Sequence, residues 1–207
     1  AGEVIYARMN LSGTEKPLYR FESRPGIFDY FDHKGRSAKR PLLRTPIDGA
    51  RLSSRFGKRR HPVLGFTKIH RGVDFAAATG TPIYAAGDGV VSYRGRKGAY
   101  GKYIRIRHAG GFNTAYAHMS RFKRKIALGT RVRQGQVIGY VGTTGRSTGP
   151  HLHYEILAGG RQVNPLTVKM PSGVKLGKKS FANFMGKRAN IDALVASLQR
   201  ETQISQR

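Results

Sequence analysis

The chain of 207 residues has no cysteine. Disulfides and thiolate metal sites are therefore excluded. Such a composition suits an exported protein, although cytosolic chains can lack cysteine too. Acidic residues are also scarce: 11 Asp and Glu stand against 38 Lys and Arg, a formal net charge of +27. No run of about 18 apolar residues occurs, so nothing in the chain is expected to span a membrane. No signal peptide is visible at Ala1, as holds for any chain that starts after one.

What is present is enough for a core. Hydrophobic residues make up 39% and aromatics 10% of the chain, which argues against disorder throughout. The 27 glycines and nine prolines suit short strands joined by tight turns. Charge is concentrated: residues 51–169 hold 22 Lys or Arg against only Asp74, Asp88 and Glu155. A surface of that sign attracts polyanions, either nucleic acid or an anionic cell envelope. No specific nucleic-acid motif accompanies it, neither paired RNP-like aromatics nor a zinc finger.

Three parts emerge along the chain. Residues 1–50 carry short alternating runs, Val4–Met9 and Pro17–Phe21, with a turn near Gly13. They predict a strand pair and a connector, with the remainder of a larger domain as one reading. Residues 51–168 predict strands at Pro82–Ala86, Val90–Arg94, Lys102–His108, Phe112–His118, Gln136–Val141 and His151–Leu157. Gly110-Gly111 between two alternating runs is a hairpin signal. The fold class is thus mainly β with antiparallel sheets. Residues 169–207 change character. Phe181, Phe184, Met185, Ile191, Leu194, Val195 and Leu198 recur at helical spacing and predict an amphipathic helix that packs on the body.

The chemistry lies in the histidines: His33, His61, His70, His108, His118, His151 and His153. In a strand, alternate side chains share a face. His151, His153 and Glu155 then point one way, and Leu152, Tyr154 and Ile156 point into an apolar core. This HxH pattern reads as metal or catalytic chemistry, or as chance surface histidines. His70-Arg71-Gly72-Val73-Asp74 is weaker. Fully extended, four residues span roughly 13 Å, too far to share an ion. A bend at Gly72 would bring His70 and Asp74 together. Alone, the pattern reads equally as a surface ion pair or a turn. Together, the motifs offer two imidazoles and a carboxylate with a fourth position free for water, the pattern of catalytic zinc. Other divalent ions also accept such a set. His118 shares a strand face with Thr114 and Tyr116, for which a structural role is the default.

Three ordered motifs, His70–Asp74, Tyr116-Ala117-His118-Met119-Ser120 and Gly149–Glu155, resemble those of lysostaphin-type (LytM) zinc endopeptidases. The flanks Ser53–Gly57, His61-Pro62, Gly80–Ala85 and Gly135–Gly139 are similar to that family too. The resemblance covers about residues 51–168. It implies a β-rich groove with one Zn2+ at its floor, held by His70, Asp74 and His153, and a non-ligand catalytic pair, His118 and His151. No glutamate follows His70 to act as the base of an HExxH enzyme, so a histidine must move the proton. Glu155 is placed to orient a ligand histidine or to pair with an arginine. His61-Pro62 is expected to line the groove, His108 to be structural or exposed, and His33 to lie in a turn.

Phe28–Ser37 resembles the lead-in of Gram-negative murein DD-endopeptidases. It implies cleavage of peptide cross-links in peptidoglycan at D-alanyl–meso-diaminopimelate, not at an oligoglycine bridge. A periplasmic or otherwise exported, envelope-associated location follows from the same likeness. Arg59, Arg60 and Arg71 are groove candidates for substrate carboxylates. Two other readings compete: a non-catalytic LytM-type regulator of cell-wall amidases, and a basic polyanion-binding module. Members of the first class have lost ligands, whereas this chain keeps all five motif residues.

Overall fold

The computed structural model describes residues 2–11, 13–39, 41–60, 67–170 and 175–205. Two compact units are formed, Ala1–Pro41 together with Pro171–Arg207, and Leu42–Met170.

In the first unit, strands β1 (Tyr6–Leu11), β2 (Thr14–Arg24) and β3 (Ile27–Phe31) form an antiparallel meander, one strand more than the pair expected. Its tight turns carry Gly13 and Gly26 at φ of 80° and 70°, a region that glycine enters without a Cβ penalty. A long helix, α1 (Lys178–Ser205), belongs to the same unit. Phe184 and Ile191 are buried with Tyr19, Phe31 and Leu176. The Tyr19 hydroxyl donates to Asp192 Oδ1 at 2.8 Å. Met185, Leu194 and Leu198, grouped with the apolar stripe in the sequence, stay exposed. Among the described residues, no helix is long and apolar enough to cross a membrane.

The second unit is built from short strands, as its glycine content predicts. They are β4 (Arg51–Ser54), β5 (Gly57–Arg60), β6 (Thr67–His70), β7 (Val73–Ala76), β8 (Pro82–Tyr84) and β9 (Gly89–Arg96). Then follow β10 (Lys102–Arg107), β11 (Phe112–Phe122), β12 (Arg131–Val132), β13 (Val137–Val141), β14 (His151–Ala158) and β15 (Arg161–Val163). The main sheet runs β12-β9-β10-β11-β14-β7-β4, with β13 joining β11 to β8 and β15 beside β14. Strands β5 and β6 form a separate hairpin. All these pairings are antiparallel, as the alternating runs predicted.

One face of the sheet is the core. Leu152, Tyr154 and Ile156 of β14 pack there with Val73, Phe75, Ile104, Ile106 and Tyr116. Each fully buried side chain of this size contributes about 1.5–3 kcal/mol by leaving water. The opposite face of the same strands carries His153, Asp74, Glu155, Ala115 and Ala117, because the pleat alternates.

Candidate metal centre

Strand pairing builds the centre. In the register of β14 with β7, His153 lies directly opposite Asp74. On its other side, His153 pairs with Ala117 of β11. His70 ends β6, and the chain bends at Gly72 before β7 begins. The bend brings His70 Nε2 to 3.1 Å from Asp74 Oδ1, in place of the span an extended run would impose. Gly72 has a second reason to lack a side chain: a Cβ there would lie 2.7 Å from the His153 ring.

His153 Nδ1 is 2.8 Å from Asp74 Oδ1 and 3.1 Å from His70 Nε2. One ligand atom from each of His70, Asp74 and His153 lies within 4.8 Å of the others, and all three residues are buried. The outer nitrogens are occupied. His70 Nδ1–H donates to the Arg55 carbonyl at 2.9 Å. His153 Nε2–H donates to Glu155 Oε1 at 3.1 Å, and Glu155 also accepts the Tyr100 hydroxyl at 2.8 Å. The inner nitrogens thereby face each other and Asp74, where each holds a proton shared with the carboxylate or, with that proton gone, a lone pair. Neutral lone pairs facing each other repel unless a proton or a cation sits between them. Donors around a tetrahedral zinc ion, with bonds of about 2.0–2.1 Å, stand about 3.3 Å apart. The three residues fit such an ion.

The electrostatics agree. Burial raises the Asp74 carboxyl, but the hydrogen bonds from His153 and His70 outweigh it and hold the group well below the usual range. Burial opposes charge on His153, yet Asp74 and Glu155 push its pKa up to about 9. Glu155, too, lies below its ordinary value: burial raises it, and the His153 hydrogen bond more than reverses that.

His118 and His151 stand beside the donors. Their ring centroids are 4.6 Å apart, and the His118 ring is 6.0 Å from that of His153. His151 Nδ1–H donates to the Gly149 carbonyl at 2.8 Å, and its Nε2 lies 3.9 Å from Asp74 Oδ1. His118 Nδ1–H donates to the Thr144 carbonyl at 2.8 Å. Burial lowers the pKa of His118 to about 4, so it is neutral at pH 7.

His118 corrects one expectation. Simple alternation puts it on the face of Thr114 and Tyr116, which belong to the buried core side. Instead its backbone takes φ of 58°, a conformation costing about 1–2 kcal/mol for a residue with a Cβ. The cause is a change of partner. Strand β11 pairs with β14 up to Ala117 and with β13 from Met119. The irregularity between them re-aims the imidazole to the side of His151 and His153, as bulges beside functional sites do.

Other expectations resolve simply. His108 is buried in a hydrogen-bond chain with Thr114, away from the donors. Arg71 is exposed. His61-Pro62 and the side chains of Arg59 and Arg60 lie outside the described residues. Among the described residues, Glu155 joins His153, Tyr100 and Gln162, not an arginine. Tyr100, Thr144 and Ser147 were not anticipated. They reach the centre from as many as 55 positions away, and no local pattern marks them.

An antiparallel fold carrying two buried imidazoles and a carboxylate, with two further imidazoles alongside, is that of a metallopeptidase. The chain belongs to peptidase family M23, whose model matches residues 68–165. It is 46% identical over 177 residues to the peptidoglycan DD-endopeptidase ShyC of Vibrio cholerae, covering 85% of this chain and 40% of that one. A zinc-containing peptidase from Vibrio cholerae matches with a TM-score of 0.60 at 33% identity, over 82% of this chain and 51% of that one. The catalytic domain of the prophage-encoded M23 protein EnpA from Enterococcus faecalis, as its A109H mutant, matches at 40% identity with a TM-score of 0.51. That match covers 58% of this chain and 92% of the domain. The chain thus spans under half the length of ShyC.

Proposed function

We propose that this chain is a zinc endopeptidase that hydrolyses peptide cross-links of bacterial peptidoglycan, at the bond between D-alanine and meso-diaminopimelate. The observation that carries the reading is the convergence of His70 Nε2, Asp74 Oδ1 and His153 Nδ1 beside two imidazoles whose Nδ1 atoms are already engaged. The bond assignment is supported by the Gram-negative lead-in and by ShyC, which is named a peptidoglycan DD-endopeptidase.

His70, Asp74 and His153 would hold the zinc. When bound, the ion supplies Lewis acidity that eases loss of a proton from water and polarises the scissile carbonyl. The remaining work falls to His118 and His151. Each has its Nδ1–H held by a backbone carbonyl, so Nε2 carries the lone pair. One takes the proton of the attacking water at Nε2. The other, once protonated at Nε2 as well, donates that hydrogen to the oxygen that gains charge, and the proton taken from water passes to the leaving amine. Burial of His118 keeps it neutral and able to accept.

The excess of basic residues favours an exported protein held on an anionic wall, an attraction screened by salt over about 8–10 Å. Retention of all five motif residues speaks against a regulator that has lost its ligands. The test digests purified diaminopimelate-type sacculi with the zinc-loaded chain and separates the muropeptides. Cross-linked dimers should fall as monomers rise. Unchanged dimers alongside efficient cutting of pentaglycine would sink the bond assignment and leave the metal reading intact.

A further inference from the structure

One buried carboxylate on the face of the metal donors is not itself one of them. Glu155 is 1% exposed, in a chain with only 11 acidic residues. Its surroundings, Ala115, Ala117, Leu157 and Tyr103, form a small apolar cluster. Burying a carboxylate costs several kcal/mol, and an apolar side chain would fill the place without that cost. Packing alone does not account for it. Its hydrogen bonds do: Oε1 accepts both His153 Nε2–H and the Tyr100 hydroxyl.

A neutral imidazole has one N–H, and its place is set by the partner of the other nitrogen. With one hydrogen held on Nε2 by Glu155, Nδ1 is the nitrogen that gives up its proton to become a metal donor, and Nδ1 is the atom that faces Asp74 and His70. Removing the acceptor frees the ring to swap tautomers or turn.

Tyr100 fixes the acceptor in turn. It closes the short 3-10 turn Gly98–Tyr100. Its ring is 5.3 Å from that of Tyr103 and 5.7 Å from that of His153, packed with the small side chains of Ala115 and Ala117. Burial and the Glu155 charge both push its phenol pKa up, so the hydroxyl stays a donor. The turn is anchored from outside. Arg146 N–H donates to the Ala99 carbonyl at 2.8 Å. A Cβ on Gly145 would stand 2.5 Å from that same oxygen, so the two loops meet through glycine. Thr144, whose carbonyl holds His118, belongs to the anchoring loop.

We propose that Tyr100 is a positioning residue of the metal centre, acting through Glu155 to hold the ring of His153 in its ligand orientation. The inference rests on the metal reading above and adds to it a residue outside the donor set.

The test measures zinc affinity by chelator competition on the full chain, as wild type, Tyr100→Phe, Glu155→Gln and the double variant. The absorption spectrum of the cobalt(II)-substituted protein is a second readout, since it reports ligand geometry and ignores packing elsewhere. Glu155→Gln should weaken zinc binding about 10–100-fold, as for outer partners of ligand histidines. Tyr100→Phe should weaken it about 2–10-fold, the effect of one hydrogen bond, and shift the cobalt bands. The double variant should bind no more weakly than Glu155→Gln alone, because the two act in series. Wild-type affinity and spectrum in Tyr100→Phe would overturn the proposal, as would losses that simply add. Tyr100→Phe removes a single oxygen, so it keeps the test decisive if Glu155→Gln folds poorly. Failure of the wild type to take up zinc would overturn the metal reading together with this one, a result distinct from normal uptake by insensitive variants.

Discussion

Two buried histidine clusters adjoin strand β11, and they accommodate an imidazole in opposite ways. At His108, both ring nitrogens end on partners with capacity to spare. Nδ1–H donates to the Asp88 carbonyl at 2.8 Å, and Nε2 accepts from Thr114 at 2.7 Å. Thr114 accepts from the Tyr116 hydroxyl, which accepts in turn from Ala86 N–H. The chain is closed, and nothing is left over for a ligand. At the other end, His70 and His153 have their outer nitrogens satisfied and their inner ones aimed at each other and at Asp74. Burial is therefore a poor guide to which histidine is functional. The informative feature is an inner nitrogen that faces a carboxylate and a second imidazole, where a cation can replace a proton.

Substitutions at the two ends should separate cleanly. The largest effect is expected at Asp74 or His153. Alanine at either removes a donor, and zinc retained after dialysis should fall from one per chain to none. Stoichiometric zinc in the His153→Ala protein, measured by elemental analysis, would count against the ligand set.

Next come His118→Ala and His151→Ala. Both should keep zinc yet lose about 10²–10⁴-fold in turnover of cross-linked muropeptides, the usual contribution of acid–base groups. Near wild-type cleavage by either would remove that residue from the chemistry.

At the structural end, His108→Ala should leave zinc content and turnover unchanged and cost about 1–3 kcal/mol of stability. The loss reflects a Thr114 hydroxyl and an Asp88 carbonyl left without their partner. Chemical denaturation measures it. If activity collapsed while stability held, the contrast between the clusters would be wrong.

The smallest effect is in pH. In zinc-free protein, His153 is raised to about 9 by its carboxylates against the pull of burial. Its contribution to stability is full below the unfolded value of about 6.5 and is lost as pH climbs through 9. His108 is lowered by burial, so its contribution is present above about 6.5 and is lost as pH falls from there. Melting of the zinc-free chain should therefore weaken at both limits. His153→Gln should flatten the alkaline limb, and His108→Gln should leave that limb in place while reducing the acid one. Because zinc must also displace the His153 proton, affinity should rise with pH up to about 9.

Much of the centre was legible residue by residue, for a local reason. A pleat of period two, with Leu152, Tyr154 and Ile156 seeking the core, obliges His151, His153 and Glu155 to share the other face. Glycine at 72 is what lets His70 and Asp74 meet across a bend. These outcomes need no knowledge of distant strands. The rest was decided by which strands became neighbours. His118 leaves the face that alternation assigns because β11 exchanges β14 for β13 beside it, an event its own flanking residues do not encode. Glu155 had an arginine or a histidine as possible partners, and the packing of Tyr100 across Ala115 and Ala117 supplied the answer. A strand's own sequence sets which way its side chains face, because that depends on the pleat. What those side chains meet depends on contacts between residues far apart in the chain, and those exist only once the sheet has closed around the core.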